Sequence, residues 1–93
     1  MAIWMNIFIE ANKGMGSELA ESYAKRCPAI REEPGCIQFE FYQSVDRPDF
    51  FILHEEWEDE EALDTHRLLA QKQGVDNSHL RKGTYHREYV SII

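Results

Sequence analysis

A chain of 93 residues, 43% apolar and 12% aromatic, is long enough for one modest core and too apolar for disorder. A formal charge of −7 disfavours a nucleic-acid role, which needs a clustered basic face for the phosphates. Its longest apolar runs are far too short to span a bilayer, so neither nucleic acid nor membrane is expected as a partner.

The first predicted element is a strand over Ile3–Ala11, with Ile3, Met5, Ile7 and Ile9 on one parity and Trp4 and Phe8 on the other. Gly14 and Gly16 break it, and Ser17 is the expected N-cap of a helix. Leu19, Tyr23, Arg26/Cys27 and Ile30 recur in that helix at three- and four-residue steps. Pro28 falls inside the pattern and predicts a kink or a restart. Pro34-Gly35 turns the chain into a second strand, Cys36–Val45, in which Ile37, Phe39 and Phe41 alternate with Gln38, Glu40 and Tyr42. Asp46-Arg47-Pro48-Asp49 is a tight connection, so Phe50–Trp57 returns antiparallel.

Asp59 then caps a second helix, with Glu60 and Glu61 in the first turn where the helix dipole favours negative charge. Leu63, His66 and Leu69/Ala70 form its apolar stripe, and Gly74 is the natural C′ residue. Val75–Lys82 reads as polar loop or a short extra turn, and Thr84–Ile93 as the last strand. The order β-α-β-β-α-β predicts an α+β, ferredoxin-like domain over residues 1–93. It combines a four-stranded antiparallel sheet with two helices on one face.

An antiparallel sheet wetted on one side should alternate apolar with polar. Phe50-Phe51-Ile52-Leu53 and Met5–Ile9 do not, so a second copy packed through the sheet face is expected, making a homodimer. Cys27 and Cys36 lack CxxC spacing, and Met1-Ala2-Ile3-Trp4 lacks a basic leader. A reduced, cytoplasmic protein with two incidental thiols is expected.

Candidate chemistry gathers at one strand-to-helix corner. Trp57 either seals the core or lines a cavity as a stacking platform for a planar substrate. Glu55 shares its strand face and serves either in a salt bridge or cap, or in the site itself. His66, on the helix stripe, is either a hydrogen-bonded core histidine or a general base whose near-neutral pKa suits it to take a substrate proton. Tyr42, Tyr85, Arg87 and Tyr89 are secondary, substrate-binding candidates. His54 cannot join Glu55 and His66 in a metal site, because His54 and Glu55 leave their strand on opposite faces. No nucleotide-binding glycine motif is present; Gly14 and Gly16 belong to a loop.

Two segments carry a resemblance over nearly the full length: Glu33-Pro34-Gly35-Cys36, and the run from Phe51 through Glu55, Trp57 and Asp59 to His66. They resemble the antibiotic biosynthesis monooxygenase domain family, small dimeric α+β barrel proteins that include quinol monooxygenase-like members. The resemblance implies cofactor-independent oxygenation of a small phenolic or quinol substrate, with Glu55, Trp57 and His66 as the site. Other activities of such proteins leave two alternatives: a non-catalytic ligand-binding or regulatory dimer, and an isomerase of a small polar metabolite. Haem-degrading relatives place a histidine about where Asp76 stands, with His79 off register and Asn6 displaced. No haem, flavin or metal is therefore expected.

Overall fold

The structure is a computed structural model describing residues 2–74, 76–83 and 86–92, the last of these by backbone alone. Four strands form one antiparallel sheet: β1 (Ala2–Glu10), β2 (Cys36–Gln43), β3 (Phe50–Trp57) and β4 (His86–Ile92), in the order β2-β3-β1-β4. Helices α1 (Gly16–Arg31) and α2 (Glu60–Gln73) cover one face, and Ser78–Leu80 makes the short extra turn as a 3-10 helix. The fold is thus the α+β, ferredoxin-like arrangement.

Strand parity builds the covered face. Met5, Ile7 and Ile9 of β1, Phe39 of β2, and Phe51, Leu53 and Trp57 of β3 are buried with Leu19, Tyr23, Cys27 and Ile30 of α1 and Leu63 of α2. Within this core Tyr23 stacks on Phe41 at 4.0 Å and Phe41 on Phe51 at 4.5 Å, an aromatic column that ties α1 to two strands. Cys27 and Cys36 carry free thiols. Among the described residues no helix is long and apolar enough to cross a membrane.

Four local expectations are corrected. Ser17 does not cap α1. The helix begins at Gly16 behind Met15, which offers no side-chain cap; instead the Asp49 carboxylate accepts from Gly14 N at 3.1 Å and Gly16 N at 3.0 Å. Of the kink or restart expected at Pro28, the restart is overturned, for α1 continues through it to Arg31. It sits in the last turn, where its missing N–H costs one intrahelical bond, the one the Ala24 carbonyl would accept. The second strand ends at Gln43 rather than Val45, because Ser44 N already closes the hairpin on Phe50 O at 2.8 Å.

The fourth concerns Ile37. The β2–β3 register slips between Cys36 and Gln38, with Cys36 opposite Trp57 and Gln38 opposite Glu56. Ile37 is the extra residue of this irregularity, and it is 54% exposed rather than facing the core with Phe39.

Candidate functional site

β3 ends on the helix-covered face with Glu55 and Trp57, two residues apart and therefore side by side. Asp59 stops the strand and caps α2, its carboxylate accepting from Ala62 N at 2.9 Å. Two turns into α2, His66 meets the end of β3, its ring centroid 4.7 Å from that of Trp57 and 5.6 Å from that of Phe39. Glu55, Trp57 and His66 are 3%, 0% and 9% exposed. The structure thus brings the three principal candidates into one buried cluster.

A short chain of polar contacts runs through it. Trp57 Nε1 donates to Glu55 Oε1 at 3.0 Å. His66 Nε2 stands 4.0 Å from that same oxygen. On the other side of the ring, Nδ1 lies 2.8 Å from Glu33 Oε1. Toward an ionised carboxylate, only a protonated Nδ1 can donate. The imidazole therefore lies between two carboxylates, against an indole.

Glu33 is the residue that sequence reasoning missed as a functional one. It stands 33 positions from His66, and its signal was the Glu33-Pro34-Gly35-Cys36 turn, whose tight geometry fixes where the carboxylate goes. Cys36 N donates to Glu33 O at 3.1 Å, and Gly35 takes φ +80°, a left-handed conformation suited to glycine. The same turn leaves Cys36 beside the cluster. Burial, followed by the Glu33 and Glu55 carboxylates, pushes its thiol up to about 11, and Arg31 opposes this. Burial likewise raises the Cys27 thiol.

The secondary candidates lie apart. Tyr42 is 51% exposed, and it lines an open cavity of about 520 Å³ with Phe8, Arg47, Phe50 and Ile52 on the sheet. Arg87 and Tyr89 pair by backbone with Ile7 and Met5, but their side chains, and Tyr85 altogether, lie outside the described residues. His54 projects to the open face, away from Glu55. Its Nδ1 is 2.6 Å from Asn6 Oδ1 and its Nε2 3.0 Å from Glu56 Oε2. Among the described residues no group of three or more His, Cys, Asp and Glu side chains is arranged to hold a metal ion.

Comparison with known proteins gives the family and the fold. Residues 2–71 match the family model of the antibiotic biosynthesis monooxygenases. No curated protein matches the chain. Among solved structures, the Pseudomonas aeruginosa protein PA3566 is similar at 22% identity and a TM-score of 0.82, over 99% of this chain and 94% of that one. A candidate antibiotic biosynthesis monooxygenase from Deinococcus radiodurans is 22% identical, with a TM-score of 0.81 over 99% and 92% of the two chains. SnoaB from Streptomyces nogalater, a cofactor-independent oxygenase, is 13% identical with a TM-score of 0.76 over 98% and 92%. At these identities the likeness is one of fold.

Proposed function

The chain belongs to the antibiotic biosynthesis monooxygenase family, and from that premise we propose that it acts as a homodimeric, cofactor-independent oxygenase of a small phenolic or quinol substrate. The observation that carries this reading is the buried imidazole of His66, hydrogen-bonded to Glu33 and set against Trp57 and Glu55. Such a group can take the hydroxyl proton of a phenol. The resulting phenolate is electron-rich enough to reduce O₂ itself: one oxygen atom replaces a ring C–H hydrogen, the other leaves as water, and the substrate, which supplies all four electrons, leaves as a quinone. Trp57 has the flat apolar face on which an aromatic ring stacks, and because it is fully enclosed this reading requires the corner to open for the substrate. In this reading residues 1–93 work as one domain, and the open sheet face is the dimer contact.

The test is oxygen uptake with a panel of hydroquinones, run beside thermal unfolding. His66→Ala is expected to abolish uptake while the protein stays folded, since the structural loss is one hydrogen bond and a small cavity, about 1–3 kcal/mol. Full turnover by the variant, or outright unfolding, would make His66 a structural residue.

One observation favours a second reading, a non-catalytic dimer that binds a small aromatic ligand. Trp57 is fully enclosed, whereas the cavity of about 520 Å³ is lined by Phe8, Tyr42, Phe50 and Ile52 on the opposite face. Hydroquinones that bind without oxygen uptake, and lose affinity on Tyr42→Ala but not on His66→Ala, would establish that reading over the first.

A further inference from the structure

We infer that Glu33 is a positioning residue for His66. Its carboxylate holds the imidazole as the Nδ1–H tautomer and leaves Nε2 as the proton-accepting atom, directed toward Glu55 and Trp57. The catalytic meaning of this inference rests on the oxygenase reading above; the tautomer itself does not.

Three features argue for it. The Nδ1 to Glu33 Oε1 distance is 2.8 Å, whereas Nε2 is 4.0 Å from the nearer Glu55 oxygen. Only the first lies within hydrogen-bond range, so it decides which nitrogen carries the proton in the neutral ring. Both partners are water-poor, with side-chain exposures of 11% for His66 and 14% for Glu33, so solvent competes little for Nδ1. Lastly, the carboxylate is carried by a rigid turn. Glu33 N donates to Ile30 O at 3.0 Å and Cys36 N to Glu33 O at 3.1 Å. Gly35 O accepts from Glu58 N at 2.8 Å, and a β-carbon on Gly35 would stand 2.5 Å from that of Ala62. The turn is therefore seated on the start of α2, the same helix that carries the imidazole. Outer partners of this kind set both the tautomer and the ring plane of a working histidine.

The tautomer is read directly by long-range proton–nitrogen correlation on ¹⁵N-histidine-labelled protein, at a pH where the His66 ring is neutral. The wild type is expected to show a protonated Nδ1 and a pyridine-like Nε2. Glu33→Gln keeps an acceptor oxygen and should retain that pattern, whereas Glu33→Met, similar in length but without an acceptor, should move the proton to Nε2. A wild-type ring protonated at Nε2 overturns the inference, and this outcome does not depend on any variant folding. An unchanged tautomer in folded Glu33→Met overturns it as well. Where hydroquinone turnover is observed, Glu33→Met should lower kcat about 10²-fold with KM unchanged, and Glu33→Gln should restore most of it. If the tautomer follows the prediction and no hydroquinone is turned over, the oxygenase reading fails and the positioning role stands.

Discussion

Trp57, Glu55 and His66 show how one residue's burial depends on its neighbours' chemistry. A carboxylate that is 3% exposed would be costly without a donor, and the indole N–H supplies one at 3.0 Å. Cys36 reports on the same surroundings. Its thiol is pushed up to about 11, first by burial and then by the Glu33 and Glu55 carboxylates. Because the folded value lies above the unfolded one, the stability this thiol contributes is complete below pH 9 and is lost as pH rises toward 11. Alkylation by iodoacetamide should still be accelerating about tenfold per pH unit between pH 9 and 10, where a free cysteine has begun to level off. Cys36→Ser should remove part of the alkaline loss of stability in denaturant melts at pH 8 and 10.5. A plateau in the rate at pH 9, or identical alkaline losses in both proteins, would contradict this account.

At the scale of elements, α1 depends on a residue 33 positions away. Asp49 accepts from the backbone of Gly14 and Gly16, doing the work of an N-cap from a different part of the chain. Asp49→Ala should therefore destabilise by about 1 kcal/mol, within the range measured for true caps. Gly16→Ala should cost more, because its new β-carbon would stand 2.2 Å from the Pro48 carbonyl oxygen, a backbone atom that cannot swing aside. Urea unfolding of both variants checks the order. A Gly16→Ala protein as stable as wild type would show that the β2–β3 connection yields easily.

These cases mark what was legible in the sequence. Period-two parity in β1 and β3, the three- and four-residue steps of α1, the Asp59 cap and the Gly74 stop at φ +64° are local patterns, and all appear in the structure. The cap from Asp49, the slip at Ile37 and the Glu33–His66 bond each arise from pairing between distant segments. The neighbouring residues can mark a turn, as Pro34-Gly35 does beside Glu33, but they do not name the distant partner. The corner itself was legible because Glu55 and Trp57 share a strand parity and His66 a helix stripe; the second carboxylate was not.

Across the whole molecule the asymmetry of the sheet dominates. One face is sealed by helices, whereas the other presents Phe8 at 38% and Tyr42 at 51% exposure beside Ile52 and Trp4. The principal extents of 38 × 27 × 21 Å describe a slab rather than a sphere. Apolar area of this kind on a flat sheet is the usual signature of a contact surface. Phe8→Glu should convert a species of twice 11.0 kDa into one of 11.0 kDa in sedimentation velocity, since a carboxylate buried between two sheets would have no partner. A wild-type protein sedimenting as a folded monomer at micromolar concentration would refute the dimer.

The turn between α1 and β2 has one more consequence. Surface connections usually absorb insertions at little cost. This one hands a carboxylate to His66, a carbonyl to Glu58 and a close backbone approach to Ala62. Its length is therefore set by the position of α2 rather than by the gap it bridges. The β2–β3 connection is tied in the same way to the start of α1. Each short connection thus acts as a spacer gauge for a helix that is not its sequence neighbour. In an evolving or redesigned chain of this kind, these two lengths are the ones to hold constant.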